Sequence, residues 1–178
     1  EIISTDHPYV IKNNATEEIQ NVPMWIIIWL RKIFLKNIET TENNNLPKKI
    51  YIDRSDATSN QSFMRKIIND DEIKEELDKV GIKSVKLGNL NFKKQVEIFH
   101  NADTIIGLHG GGFANLTFCK PGTKVLEFKP ISAGMMYENL AQKCNLNYST
   151  IAKTPEKFKQ GNQLGFIRVE IKEILDHL

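Results

Sequence analysis

From Lys48 onward, short apolar runs alternate with longer stretches of helical periodicity, and this alternation constrains the fold more than any other feature of the chain. The runs lie at 49–52, 84–87, 104–108, 124–128 and 147–151. Between them, Asn69 stands before Asp70, Asp71 and Glu72, a cap followed three residues on by a Glu, which predicts a capped helix whose first-turn acids complement its dipole. Ile73, Leu77 and Val80 form its expected buried stripe, and Gly81 its stop. Asn91 predicts a second cap, with Phe92, Val96 and Phe99 facing inward. Tyr137, Leu140, Ala141 and Cys144 repeat at i, i+3, i+4 and i+7, a helix. Ile167, Ile171, Ile174, Leu175 and Leu178 predict a closing helix. Strands this short and apolar, separated by helices, belong to a parallel sheet buried on both faces. Right-handed crossovers then give an α/β, Rossmann-like layer structure over residues 47–178.

Residues 1–46 read differently. Residues 7–11 predict a short strand or extended lead-in, Pro23 opens a helix running to about Leu35, and the Asn-rich stretch to Pro47 is a polar linker. That helix is apolar over much of its circumference, so it should pack against something large. Its apolar run, 24–30, is broken at once by Arg31 and Lys32, and a membrane span needs about 20 apolar residues. No transmembrane segment is therefore expected.

Composition narrows the function. A net charge of +2 with scattered Lys and Arg argues against nucleic acid. Cys119 and Cys144 sit in apolar surroundings and read as buried free thiols. The four histidines form no pair at ligand spacing and no Cys-x-x-Cys occurs, so no metal is expected.

In such sheets ligands bind beyond the carboxyl ends of the strands. There the sequence places Gly107-Leu108-His109-Gly110-Gly111-Gly112-Phe113-Ala114-Asn115, between a strand and a short helix. Three glycines remove every Cβ from the turn, so backbone N–H groups and a helix N-terminus can face an anion. Gly110, Gly111, Gly112, Phe113 and Asn115 are therefore candidate phosphate-binding residues. Arg54 follows the first strand at the same edge and could hold two phosphate oxygens. Glu127 is a candidate for accepting from ribose hydroxyls, His109 for a phosphate or sugar contact and as a weak catalytic candidate, and Arg65 for reaching the cleft from a long loop. Each has a bland alternative as a structural or surface residue. Gly110-x-Gly112-x-x-Asn115 nearly fits a dinucleotide fingerprint, but its last glycine is an Asn and it follows the third strand rather than the first. No Walker motif or Gly-x-Ser-x-Gly is present.

Taken in order, these segments resemble glycosyltransferase family 61. The matching pieces are Lys49-Ile50-Tyr51-Ile52-Asp53-Arg54, Arg65-Lys66-Ile67-Ile68-Asn69, Phe92-Lys93-Lys94-Gln95-Val96, the glycine turn through Asn115 with Phe118, and Pro121-Gly122-Thr123-Lys124-Val125-Leu126-Glu127. Residues 22–38 resemble the helix that precedes the family's nucleotide-binding domain, and Gly111 stands where the family more often carries Ala. The resemblance implies one lobe of a GT-B fold, holding the second of two Rossmann-like lobes plus a lead-in. It implies inverting transfer of a sugar from a nucleotide-sugar, commonly a UDP-sugar, to a glycan or polysaccharide acceptor. The base would come from the other lobe, and no cofactor or metal is expected. Bacterial members act in capsule and surface-polysaccharide synthesis, cytoplasmic or membrane-peripheral; eukaryotic members act in the secretory-pathway lumen. A partner lobe or a homo-oligomer would complete the site. The alternatives are an NAD-dependent or sugar-nucleotide-modifying enzyme and a non-catalytic docking lobe.

Overall fold

The computed structural model describes residues 21–36, 38, 46–57, 64–156 and 164–178. The expected lead-in strand at 7–11 and most of the linker lie outside the described residues. In chain order the elements are α1 (Met24–Phe34), β1 (Lys49–Asp53), β2 (Arg65–Ile67), α2 (Asp70–Lys79), β3 (Lys83–Lys86), α3 (Phe92–Asn101), β4 (Thr104–Leu108), a 3₁₀ segment (Gly111–Phe118), β5 (Lys124–Pro130), α4 (Met136–Lys143), β6 (Asn147–Lys153), β7 (Gly165–Ile167) and α5 (Ile171–Leu175).

Five strands make one parallel sheet in the order β3-β1-β4-β5-β6. The chain runs outward from β1 to one edge, returns, and continues through β4 to the other edge. The reversal falls between β1 and β4, the topological switch point at which doubly wound sheets bind ligands. Apolar residues alternate to both sides, as strands covered on two faces require. On one face Ile52, Ile105 and Val125 pack with Phe99 of α3, Leu116 of the 3₁₀ segment and Leu140 of α4. On the other, Tyr51, Ile106 and Phe128 pack with Ile73 and Leu77 of α2 and Ile174 of α5. The α/β, Rossmann-like architecture read from the sequence is the one observed.

Several local expectations differ. The stretch 165–167 does not join the closing helix; it forms β7 and pairs parallel with β2 in a separate two-stranded sheet. Glycine and a β-branched residue over a three-residue ladder leave too little pattern to mark a strand. Asn69 sits at the N-cap of α2, yet its side chain makes no cap bond. Instead it donates to the Val169 carbonyl (2.9 Å) and accepts from the Val169 amide (3.3 Å), clipping α2 to the segment that follows β7. Val80 and Phe92 are exposed, not buried. Phe92 still packs edge-on against Phe34 and Phe118. Asn91 caps α3 as expected, accepting from the Lys94 amide at 2.9 Å.

Helix α1 packs on the 3₁₀ segment through Ile27 and is pinned by Arg31 Nη1, which donates to the carbonyls of Thr117 (2.9 Å) and Cys119 (3.0 Å). Its outer side leaves Met24, Trp25, Ile28, Trp29 and Ile33 exposed. Among the described residues no helix is long and apolar enough to cross a membrane.

Candidate functional site

The carboxyl ends of β1 and β4 lie side by side in the sheet, so the residues that leave them share one edge. The His109 amide still belongs to the sheet, donating to the Phe128 carbonyl at 2.8 Å. Its own carbonyl faces outward and receives two guanidinium groups. Arg54 Nη1 donates to it at 2.7 Å, and Arg65 Nη1 at 3.2 Å. Arg54 comes directly off β1, and Arg65 opens β2. The two cations thus converge from different elements on one backbone oxygen.

Neither arginine takes part in an ion pair among the described residues. Lys74 occupies Asp53, Asp70 and Asp71, and Asp56 is turned to the Gly88 amide, 2.7 Å away. Burial lowers the pKa of both guanidinium groups, and for Arg65 the charge of Arg54 adds to it. Arg65 Nε is buried with no hydrogen-bond partner. Two adjacent, partly desolvated cations with no carboxylate at ion-pair distance among the described residues favour an anion between or beside them. They line a cleft of about 350 Å³ together with Tyr51, Ser55, Lys74 and Leu108. That volume falls within the roughly 300–1,000 Å³ usual for small-molecule sites.

The three glycines play three different parts. Gly110 is where the arginine crosses the turn: a Cβ there would stand 2.1 Å from Arg54 Nη1. Gly112 packs inward, where a Cβ would stand 3.0 Å from Leu87 Cδ1 and 3.1 Å from Ile52 Cγ2. At Gly111 a Cβ would meet nothing within 4 Å. Gly111 and Gly112 head the 3₁₀ segment, at the positions whose amides lack a carbonyl within the helix.

Other expected contacts point elsewhere. The Phe113 amide closes the turn onto the Gly110 carbonyl (2.9 Å), and its ring is fully buried in the core. Phe113 therefore has no donor left for a phosphate. Asn115 is also buried, donating to Gln95 Oε1 (3.1 Å) on α3 and to the Gly112 carbonyl (3.3 Å). Glu127 was expected at a strand's end, open to a ribose. Instead β5 runs on to Pro130, which leaves Glu127 in mid-strand at 0% exposure with both oxygens engaged. Oε1 lies 2.6 Å from His109 Nδ1, and Oε2 accepts from the Tyr148 hydroxyl. Tyr148 and Tyr137, whose ring lies 5.0 Å from that of His109, were not singled out from the sequence. Only the register of β5 with β6 brings Tyr148 beside Glu127.

The model of the family described as Glycosyltransferase 61 matches residues 3–126, which takes in the glycine turn and all of β1 to β4. The chain belongs to the glycosyltransferase 61 family. Among curated proteins it is similar to the EGF domain-specific O-linked N-acetylglucosamine transferases of Xenopus laevis (34% identity over 101 residues), Mus musculus (34% over 101) and Drosophila melanogaster (30% over 95). For the frog and mouse proteins the match covers 54% of this chain and 19% of the relative. For the fly protein the shares are 52% and 18%. The match thus spans about a fifth of these family members' length. All three are animal proteins, and none of their names refers to a capsule or a polysaccharide. Among the described residues no cluster of three or more His, Cys, Asp or Glu side chains comes together as a metal site would require.

Proposed function

We propose that this chain carries the donor-binding lobe of a glycosyltransferase, and that the diphosphate of a nucleotide-sugar, UDP-linked, occupies the edge between β1 and β4. One observation carries the reading: Arg54 and Arg65, without carboxylate partners, converge on the His109 carbonyl beside the glycine turn. Cations fixed there hold the diphosphate in the ground state and stabilise the charge that grows on it as the sugar leaves. The Gly111 and Gly112 amides add backbone donors on the same side. The relatives' names support N-acetylglucosamine as the sugar and a protein-linked hydroxyl as the acceptor. Their animal origin favours the eukaryotic, secretory-pathway reading over the bacterial cytoplasm. The base and acceptor site belong to a partner lobe, with 1–46 as lead-in and 47–178 as the donor domain.

The test is a thermal-shift and calorimetric titration of the full chain with UDP, UDP-N-acetylglucosamine, GDP and NAD. Ligand at 100 times its dissociation constant adds about 2.7 kcal/mol, a shift of roughly 5–11 °C for a domain of this size. Selective stabilisation by UDP or its sugar is expected, and Arg54→Ala should weaken it at least tenfold. Stabilisation by NAD alone would replace this reading with an oxidoreductase. The exposed apolar face of α1 favours a second reading, a lobe that docks on another polypeptide without binding a nucleotide. A chain that no nucleotide stabilises would support it.

A further inference from the structure

His109 gives only its carbonyl to the arginine pair. Its imidazole turns to the sheet face that carries α4 and is 1% exposed. One ring nitrogen, Nδ1, meets Glu127 Oε1 at 2.6 Å. The other, Nε2, is buried with no hydrogen-bond partner. Burial, and then the charge of Glu127, raises the pKa of the Tyr148 hydroxyl, so the phenol keeps its proton and donates to Glu127 Oε2. Glu127 therefore accepts from both sides, and the ring proton sits on Nδ1. With Nδ1 protonated, Nε2 carries either a bare lone pair or a second N–H. Either way Nε2 is a buried polar atom whose hydrogen-bonding capacity is unused, which a ligand atom could satisfy.

The surroundings show what would change it. Tyr137, heading α4, lies over the His109 ring at 5.0 Å between centroids. Burial, and then the Glu127 charge, raises its pKa to about 12, while the charges of Arg65 and Arg54 act in the other direction. The phenol of Tyr137 is therefore electrostatically coupled both to the arginine pair and to Glu127. Among the described residues nothing bonds Nε2; Lys129 turns its amine to the Gly134 carbonyl, 3.4 Å away, and Glu138 acts on Tyr148. Arg54 and Arg65 sit on the His109 carbonyl and Tyr137 lies over the His109 ring, so an anion held by the two arginines would lie close to this cluster.

We propose that His109 is a proton-coupled third cation of the diphosphate site. When the anion arrives and Tyr137 swings aside, Nε2 takes a proton from solvent and donates it as a hydrogen bond to a phosphoryl oxygen. Glu127 balances the imidazolium formed, so the pair passes from a net charge of −1 to neutral as the proton arrives, and Tyr148 holds Glu127 in place. Glu127 and Tyr148 are positioning residues in this scheme, since they act through the ring. The proposal rests on the diphosphate reading above, and adds that binding is linked to proton uptake.

The experiment is nitrogen NMR of the full chain with labelled histidine at about pH 8, well above the ordinary histidine value of about 6.5. Spectra are recorded with and without saturating UDP or inorganic pyrophosphate. The His109 Nε2 signal should change from unprotonated to protonated on binding. Calorimetry in two buffers of different ionisation enthalpy should count about one proton taken up per complex. His109→Gln should bind about tenfold more weakly with no uptake. Glu127→Gln should bind with reduced uptake, because an amide cannot balance the new charge. If either substitution prevents folding, the wild-type spectra decide alone. A ring whose protonation is the same with and without bound ligand would overturn the proposal and leave the diphosphate site standing. Failure of both ligands to bind would overturn the diphosphate reading, and this proposal with it.

Discussion

Adding one methyl group at each of the three successive glycines should give three different outcomes, because each points into different surroundings. In Gly110→Ala the new Cβ falls 2.1 Å from Arg54 Nη1 and 3.0 Å from its Cζ. Arg54 is flexible and half-buried, so it moves aside and the core does not. The charge-assisted bond to His109 is lost, a nominal cost of about 1.5–3 kcal/mol that partial exposure reduces to roughly 1 kcal/mol or less. Stability should therefore fall by no more than about 2–4 °C in Tm. UDP affinity should fall at least tenfold, because the displaced guanidinium no longer presents its fork. Gly112→Ala should do the reverse. Its Cβ meets Leu87 and Ile52 at 3.0 and 3.1 Å, and both are buried. Overpacking there should cost about 1–3 kcal/mol and lower Tm by roughly 3–10 °C. Gly111→Ala meets nothing and should leave Tm unchanged or raise it slightly through the unfolded state. Its effect on affinity reads directly how close the anion comes to the turn. Thermal melts by circular dichroism, paired with UDP titration calorimetry, separate the two readouts. Equal damage to stability from Gly111→Ala and Gly112→Ala would refute the packing argument. Undiminished UDP affinity in a folded Gly110→Ala would refute the role given to Arg54.

Two further outcomes test the framework around the site. Tyr51, Tyr137 and Tyr148 all have raised pKa values, burial being the first cause in each case. A raised folded-state value means the unfolded chain loses its proton first. Stability is therefore complete below the ordinary tyrosine value of about 10 and is lost as pH climbs from there toward 12 and beyond, by about 1.4 kcal/mol per pH unit for each tyrosine. Denaturant melts from about pH 9 to 12 measure the slope, and Tyr148→Phe should flatten it; a flat profile in the wild-type chain would contradict the burial of these phenols. Asn69→Ala removes both bonds to Val169 and should cost about 1–2 kcal/mol. It should also speed hydrogen exchange at the Ile68 amide, which bonds the Ile167 carbonyl at 2.8 Å. Unchanged exchange there would mean that the clip does not hold the small sheet that carries Arg65.

The local pattern of the sequence was enough for the five strands of the main sheet, most of the helices, and the identity of the arginines and glycines that meet at its edge. Each of these depends on neighbours within a few positions: apolar runs of strand length, a repeat of helical period, an Asn before a helix, a glycine triplet. Arg54 could be placed because it immediately follows its strand, and strand order in a doubly wound sheet brings that end to the glycine turn. Pairings across long separations could not be read this way. Arg65 reaches the site because β2 pairs with β7, which lies 100 residues later and has three residues and no alternation to announce it. Asn69 carries a capping signal but spends both halves of its amide on Val169, a partner with no local trace. Glu127 was visible as a charge in an apolar run, which suits a ligand contact and a buried pair equally well. The sheet register decided between them by setting His109 on one side of the carboxylate and Tyr148 on the other. Period and composition fix what a residue can do locally, whereas the partner that uses up its hydrogen bonds is chosen only when distant strands come into register.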